Sequence, residues 1–360
     1  MGGLCCGMTS PSDAVPRVDL HRHAEAYARL DIALAKREAR SPLDWSGWAE
    51  DVAATPAGLP RLEMLGAARG VASLSSTDSR RGDEIYAQPD GFVETVEQNL
   101  RDAADAGAIY LEVRFGGGTL LTHPELVALF REAETRVRER QADFYAEPLI
   151  VAHWPDHPNA EAVFEACLRA AGDGLAGVDF LPVPYEQELD WSTAHRWSGR
   201  LAEAGLGITC HAGEFSDVHL EPALRLPGLS RLGHAVHASR HTNLLERFAE
   251  AGVTVECCLT SNVLLGAVES LDVHPLGDFL AAGVPVAMGS DNPVRMSTEI
   301  DREYELAESL GCDRVGLLNL SRKGVAAAFT TSARKSQLLA LLDERQSRET
   351  GDTPRSRTAC

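Results

Sequence analysis

The chain has 360 residues, of which 44% are hydrophobic and 24% charged, with a formal net charge of −19 at pH 7. This length and composition fit a globular protein with a large core, built as two ordinary domains or as one α/β barrel. No apolar run approaches the roughly 20 residues that span a bilayer, and an acidic surface repels the phosphates of nucleic acids. We therefore expect a cytoplasmic protein that acts on a small molecule, without a membrane or nucleic acid partner. A homo-oligomer is compatible with the sequence.

Both ends of the chain are polar and contain Gly, Pro or Ser, which is typical of disordered segments. We expect a disordered leader at residues 1–15, a single folded domain at 16–340, and a disordered tail at 341–360. The eight cysteines form no C-x-x-C pair, and those on apolar segments are typical of buried free thiols in a reducing compartment.

Short apolar runs alternate with helical patterns along the whole domain. The predicted strands are Arg17–Glu25, Ala108–Gly116, Phe144–His153, Ala176–Val183, Gly207–Glu214, Arg231–His237, Thr254–Asn262 and Val284–Asp291. The long stretch between the first two strands is predicted to be a helical insertion. Eight strand–helix units predict a (β/α)8 TIM barrel. The alternative, an open doubly wound sheet, usually has a glycine-rich phosphate loop after its first strand, and this sequence has none.

Functional groups of such barrels cluster at the carboxyl ends of the strands, and histidines and carboxylates occur at several of these ends. His21 and His23 are two residues apart on an extended segment, so both side chains point to the same face. The alternative is a pair of surface histidines on a loop. His211 and Glu214 follow another apolar strand, where a lone histidine is more often a hydrogen-bonded core residue than a ligand.

Asp291 follows the apolar run VPVAMGS, and a buried carboxylate there needs a cation or hydrogen bonds. The alternative is a cap for a helix near Ser297. Together, three histidines and one carboxylate form a ligand set that suits zinc, which lowers the pKa of its water to about 7. Glu214 is placed to exchange protons with a substrate, and His234 to hydrogen-bond the attacking water and stabilise negative charge on oxygen.

The motifs VDLHRHAEA, HAGE, LGHAVH, ECCLTSN and SDNP occur in this order. Their order and spacing resemble the adenosine deaminase family of the metal-dependent amidohydrolase superfamily. DAADAGAIYLEVRFG is similar to the second-strand segment of that family, and the resemblance extends over about residues 16–335.

The resemblance implies a (β/α)8 barrel that binds one zinc ion per chain. The positions that match the zinc ligands of the family are His21, His23, His211 and Asp291. Glu214 matches the residue that protonates the purine ring nitrogen, and His234 and Asp291 match those that hold the attacking hydroxide. No predicted strand contains a lysine, whereas binuclear members of the superfamily bridge two metal ions with a carboxylated lysine.

Three predicted substrate contacts depart from the family pattern. Glu25 stands where the family usually has a ribose-binding aspartate. Leu181 or Pro182 replaces a glycine whose N–H contacts the purine, and a proline there has no N–H to donate. Asn292 replaces a second aspartate and offers both a donor and an acceptor. These changes indicate either drift in a deaminase with looser recognition, or a changed substrate such as a modified nucleoside or another aminated heterocycle.

The favoured hypothesis is a zinc-dependent hydrolytic deaminase of an adenosine-like nucleoside or a related aminated heterocycle. In this hypothesis a zinc-bound hydroxide attacks an amidine carbon and ammonia is released. A second hypothesis keeps the fold but assigns another hydrolysis, a ring opening or a rearrangement in specialised metabolism. A third is a non-catalytic ligand-binding barrel, against which the intact set of candidate catalytic residues argues.

Overall fold

The computed structural model describes residues 15–24, 54–68, 88–155 and 159–350. The predicted leader, apart from Val15, therefore lies outside the described residues, as does the end of the predicted tail at 351–360. Most of the predicted insertion after the first strand also lies outside them, and its described part contains the helix Leu59–Ala68.

The described residues form one sheet of eight strands, and each strand pairs in parallel with the next one along the chain. The strands are β1 Arg17–His23, β2 Ala108–Gly116, β3 Tyr145–Pro155, β4 Gly177–Val183, β5 Gly207–Ala212, β6 Leu229–His234, β7 Thr254–Cys257 and β8 Val286–Met288. A parallel bridge between Arg22 and Asp291 joins the first strand to the segment after the last. The predicted (β/α)8 barrel is confirmed.

Helices cover the outside of the barrel. Within the described ranges they are α1 Leu59–Ala68, α2 Pro89–Asp105, α3 Gly117–Thr122, α4 Leu126–Arg138, α5 Ala160–Ala171, α6 Ser192–Glu203, α7 Leu220–Ala223, α8 Thr242–Ala251, α9 Leu259–Leu264, α10 Leu276–Ala281, α11 Pro293–Met296, α12 Ile300–Ser309, α13 Arg314–Ala327 and α14 Ser332–Thr350. Two short 3-10 helices, Val236–Arg240 and Leu271–Val273, lie in the loops after β6 and α9. None of these helices is long and apolar enough to cross a membrane.

The helix α2 shows why the sequence folds in this way. It begins at Pro89, whose fixed φ suits the first turn. Phe92, Val96 and Leu100 are buried and four residues apart, so they form one apolar stripe against the barrel. The chain leaves the helix at Gly107, which has the left-handed φ of +82° that favours glycine.

Several predicted strands are too long at their carboxyl ends. The strand predicted to reach Asn262 ends at Cys257, and the apolar run that follows it forms α9 instead. Such a run does not distinguish a strand from a short buried helix. Left-handed backbone at His234 and Asp291, with φ of +63° and +55°, turns the chain sharply beyond β6 and β8. The candidate catalytic residues therefore lie at strand ends and in the turns that follow.

The expected domain end at residue 340 falls inside α14, which continues to Thr350. Leu338 and Leu342 on this helix are fully buried against the core. These two side chains pack on the same face of the helix, which extends through residues 341–350, the first part of the expected tail.

Candidate active site

A cavity of about 310 Å³ opens at the carboxyl ends of the strands. Its polar lining is His23, His153, His211, Glu214, His234, Asp291 and Asn292, and its apolar lining includes Leu59, Leu62, Leu181, Val183, Tyr185, Phe215 and Leu265. Catalytic groups of (β/α)8 barrels occupy this end. A mostly apolar pocket with a few convergent polar groups is the usual form of a small-molecule site.

Three imidazoles from two strands converge at the bottom of this cavity. The Nε2 atom of His21 lies 3.1 Å from Nε2 of His211 and 3.3 Å from Nε2 of His23. Nitrogen ligands about 2.0–2.1 Å from a tetrahedral zinc ion lie about 3.3–3.4 Å from one another. The spacing of the three nitrogen atoms therefore fits ligation of a single metal ion.

Two buried carboxylates orient these rings from behind. Nδ1 of His21 lies 2.8 Å from Oε2 of Glu256, and Nδ1 of His211 lies 3.0 Å from Oδ1 of Asp179. Arg114 joins the two carboxylates, with contacts of 2.6 Å to Asp179 and 2.5 Å to Glu256. Burial opposes the ionisation of Asp179, but His211 and Arg114 outweigh it and hold its pKa below the ordinary value. Ionised Asp179 accepts the Nδ1 proton of His211, and Glu256 is positioned to accept that of His21.

These contacts determine the tautomers of His21 and His211, and with them the electrostatic repulsion between the two rings. With Nδ1–H donated to a carboxylate, the Nε2 atoms of His21 and His211 each carry a lone pair. Two lone pairs that face each other across 3.1 Å repel unless a cation lies between them. Burial and nearby cationic groups also hold the pKa of His21 well below the ordinary value, which keeps the ring neutral as a metal ligand requires. The donor set therefore fits a metal ion.

Asp291, the fourth predicted ligand, lies beside these rings. Its Oδ1 is 3.7 Å from Nε2 of His23 and accepts a hydrogen bond of 2.8 Å from Nδ2 of Asn292. Burial opposes ionisation of Asp291, but neighbouring groups, first among them the imidazole of His23, outweigh it and lower its pKa. The carboxylate is thus held in its charged form next to the three imidazoles.

Glu214 and His234 occupy the other side of the cavity. Oε1 of Glu214 is 3.8 Å from Nε2 of His234, and both side chains are close to Asp291. Burial, together with the charge of Asp291, raises the pKa of Glu214 well above its ordinary value. Burial lowers the pKa of His234 to about 3, so the ring is neutral. A protonated carboxyl beside an ionised one is an arrangement suited to proton transfer at neutral pH.

Two glycines allow His21 to lie close to the neighbouring strands. A Cβ on Gly289 would lie 2.4 Å from Cβ of His21, and a Cβ on Gly233 would lie 2.9 Å from its ring. Both distances are shorter than real Cβ contacts allow. Glycine at these two positions is therefore a steric requirement of the imidazole cluster.

The three predicted substrate contacts lie in different places. Glu25 is outside the described residues. Pro182 is buried on β4 between Leu181 and Val183, and these two neighbours line the cavity. Asn292 lines the cavity and also donates to Asp291.

Three further charged residues of the site, which the motif analysis does not identify, stand out in the sequence because they lie inside apolar runs. Asp179, Glu256 and Arg114 are charged residues inside the apolar strand runs GVDF, TVEC and EVRFG. A charged side chain in such a run must be paired once it is buried. That three strands carry complementary charges indicates one shared network inside the barrel.

The fold and the site define a metal-dependent hydrolase of the amidohydrolase type, and comparisons with known proteins narrow this class. A family model described as adenosine deaminase matches residues 80–345. The chain is 31% identical to an adenosine deaminase of Pectobacterium atrosepticum over 90% of this chain and 95% of that one. It is 30% identical to an adenine deaminase of Mesorhizobium japonicum over 72% of this chain and 82% of that one.

A solved structure of the N6-methyl-AMP deaminase from Arabidopsis thaliana has the same fold, with a TM-score of 0.70 and 20% sequence identity. The likeness covers 92% of this chain and 97% of that one. The chain belongs to the adenosine deaminase family, whose members are hydrolases that act on C–N bonds of cyclic amidines.

Proposed function

We propose that the protein is a zinc-dependent hydrolytic deaminase of an adenosine-like nucleoside or a related aminated heterocycle. This proposal rests on one arrangement: three imidazole Nε2 atoms converge beside the carboxyl group of Glu214. The pKa of that carboxyl group is raised. The names of the similar proteins, adenosine deaminase and adenine deaminase, support the same reaction on the same ring system.

The residues that would hold zinc are His21, His23, His211 and Asp291. When bound there, zinc would lower the pKa of a water ligand to about 7 and so supply a nucleophile at neutral pH. Asp179 and Glu256 hold two of the imidazoles in the tautomer that this ligation requires. One zinc ion per chain satisfies the donors described.

Glu214 is the proton donor in this proposal. Its protonated carboxyl gives a proton to the ring nitrogen next to the attacked carbon, so that this carbon accepts the oxygen nucleophile. The carboxylate of Asp291 accepts the proton that the attacking water loses. The amino group gains that proton and leaves as ammonia as the C–N bond breaks. The new hydroxyl on the attacked carbon gives its proton back to the Glu214 carboxylate, so that a carbonyl oxygen remains on the ring and the acid is restored. His234 faces the negative charge that develops on oxygen.

The volume of the cavity favours a small substrate. At about 310 Å³, it lies at the low end of the range of about 300–1,000 Å³ for small-molecule sites. Tyr185 and Phe215, whose ring centroids are 5.1 Å apart, provide aromatic surface on the wall next to Glu214. A heterocycle can pack on this wall while its amidine edge faces the acid groups.

The test is a panel of adenine, adenosine, AMP and other aminated heterocycles, incubated with the zinc-loaded protein and analysed for ammonia and for product mass. We expect release of one ammonia per product, with oxygen in place of the amino group. Glu214→Gln should abolish turnover with the zinc content unchanged. Full activity of that variant would contradict the role of Glu214, and a panel without any turnover would contradict the proposed reaction.

The same assay addresses the second candidate, a different hydrolysis or a rearrangement on this fold. The observation that favours it is the neutral Asn292 in the cavity wall, where the family pattern has an acid. A product that has gained a whole water indicates ring opening, and a product of unchanged mass indicates a rearrangement. A protein that binds a member of the panel without converting it indicates a ligand-binding barrel.

A further inference from the structure

A chain of hydrogen bonds runs from His234 away from the cavity into the core. Nδ1 of His234 lies 3.0 Å from Nδ2 of Asn262, and Oδ1 of Asn262 lies 3.1 Å from Nε2 of His274. Nδ1 of His274 in turn accepts a hydrogen bond of 3.1 Å from the backbone N–H of Leu276. All three side chains are buried, with exposures of 1%, 0% and 6%.

The direction of every hydrogen bond in this series follows from the last one, which the backbone N–H of Leu276 donates to His274. A backbone N–H only donates, so Nδ1 of His274 must accept and carries no proton. The proton of that neutral ring is then on Nε2, which donates to Asn262. The Asn262 side chain must present its oxygen to His274 and its amide N–H to His234.

The opposite orientation of the Asn262 amide is disfavoured. It would place the NH₂ group against the Nε2–H of His274, leaving two buried donors without acceptors, at a cost of about 1–3 kcal/mol for each unsatisfied group. Burial lowers the pKa of His274 to about 4, which is consistent with the neutral ring that accepts from Leu276. Nδ1 of His234 therefore acts as the acceptor at the end of the chain.

We propose that Asn262 and His274 are positioning residues that hold His234 in the tautomer with its proton on Nε2. That nitrogen faces the cavity on the side of Glu214, at 3.8 Å from Oε1. His234 thus meets the reacting centre as a hydrogen-bond donor, the state that stabilises negative charge on oxygen. The expected effect of these residues on turnover rests on the proposed function, whereas the tautomer of His234 does not.

The test uses the zinc-loaded protein labelled with ¹⁵N in its histidines. Long-range ¹H–¹⁵N correlation spectra report which ring nitrogen carries the proton, and a His234→Gln variant identifies the signals of His234. We expect wild-type His234 to carry its proton on Nε2. In Asn262→Asp the carboxylate only accepts, so Nδ1 of His234 should gain the proton and Nε2 should lose it.

Turnover of the best substrate of the panel provides a second measurement. We expect kcat of Asn262→Asp to fall by about 10²–10³, the usual loss when one donor to a developing oxyanion is removed, with KM little changed. Zinc content and the thermal midpoint should stay close to wild type. Asn319→Asp, an exposed position on α13, adds the same charge and should change neither the spectrum nor kcat.

A pair of variants at His274 tests the other link of the chain. His274→Phe removes the donor to Asn262, so the amide should take both orientations and His234 should show both tautomers. His274→Gln restores an N–H at this position and should restore the single tautomer. This rescue separates a positioning role from a packing role of the ring.

The proposal is overturned if wild-type His234 carries its proton on Nδ1, or if Asn262→Asp leaves the nitrogen pattern unchanged. A changed tautomer with unchanged kcat overturns the positioning role. If wild type converts no member of the panel, the proposed function fails, while the spectra still decide the tautomer.

Discussion

His23 and Asp291 meet at the seam where the barrel closes, where the backbone N–H of His23 donates to the carbonyl oxygen of Asp291 over 2.7 Å. The N–H of Asp291 donates in turn to the carbonyl oxygen of His21 over 2.6 Å. Residues from the two ends of the barrel sequence, both predicted metal ligands, are thus joined through the main chain. The stability of the proposed metal site and that of the closed barrel are therefore expected to depend on each other.

This dependence predicts that metal removal destabilises the protein. A ligand that binds only the folded state stabilises it by about 2.7 kcal/mol at 100 times its Kd. We expect the thermal midpoint to fall on treatment with a chelator and to recover on addition of zinc, as measured by calorimetry. His23→Ala, which lacks one ligand, should show a much smaller response. Equal midpoints for the chelated and zinc-loaded wild-type protein would contradict the predicted site.

We expect a substitution that removes the charge of Asp179 to weaken metal binding. Asp179→Asn would offer either an N–H or an uncharged oxygen to Nδ1 of His211, so the ring would be held less firmly in its ligand tautomer. We expect zinc affinity to fall by about 10–100-fold, measured by competition with a coloured chelator. Asp173→Asn, an exposed change of the same kind, is the control and should bind zinc like wild type.

The close approach of β8 to His21 predicts that Gly289→Ala disturbs the site. The added methyl group would lie 2.4 Å from Cβ of His21 and 3.0 Å from Sγ of Cys258. Overpacking of this kind costs about 1–3 kcal/mol, so we expect lower stability in urea together with weaker zinc binding. Gly277→Ala on α10, where no atom lies within 4 Å, should leave both unchanged or raise the stability. Normal zinc binding by Gly289→Ala would argue against the steric requirement.

The buried Glu303, which lies outside the cavity, should make the free energy of unfolding depend on pH. Burial raises its pKa to about 7, although it accepts hydrogen bonds from the N–H of Thr260 and the hydroxyl of Thr298, at 3.1 and 2.8 Å. Because the folded state holds this proton more tightly than the unfolded state, stability is highest below the unfolded pKa of 4.5 and falls as pH rises to about 7. Ionisation then costs on the order of 3 kcal/mol.

The measurement is urea unfolding of metal-free wild type and Glu303→Gln from pH 4.5 to 8. The free energy of unfolding of wild type relative to the variant should decrease across this range and level off above pH 7. The comparison cancels titrations shared by both proteins, including that of the nearby Asp19. A constant difference between the two proteins would show that Glu303 does not titrate in this range.

The sequence predicted the barrel well because eight apolar strands and their intervening helices are local patterns. The placement of His21, His23 and His211 could be predicted because every strand of a parallel barrel presents its carboxyl end to the same mouth. The roles of Asp179 and Glu256 could not be predicted, because they depend on which side chains of different strands meet inside the barrel. Pair contacts of that kind are set by register and are not visible in one strand alone.

Asn262 shows a different limit of prediction from the sequence, the assignment of an apolar run to strand or helix. It was assigned to the end of a strand, but β7 ends at Cys257 and the following turn of helix carries Asn262 to His234. An apolar run of this length is compatible with either element. The domain end predicted at 340 has a different origin: it rests on the polar composition of the chain end, which does not exclude the helix that continues to Thr350.

The paired charges beneath the imidazoles bear on which ion the site would accept. Arg231 pairs with Glu112 and, at 2.7 Å, with Glu256, and Arg114 pairs with Glu256 and Asp179. By formal charge, the three carboxylates and two guanidinium groups of this network carry one excess negative charge, and Asp291 adds a second. A divalent ion held by the proposed ligands would neutralise these two charges, whereas a monovalent ion would leave one charge uncompensated and a trivalent ion would add one of the opposite sign. The buried charges of the barrel are therefore expected to favour a divalent ion, and part of that preference comes from carboxylates and guanidinium groups behind the proposed ligands.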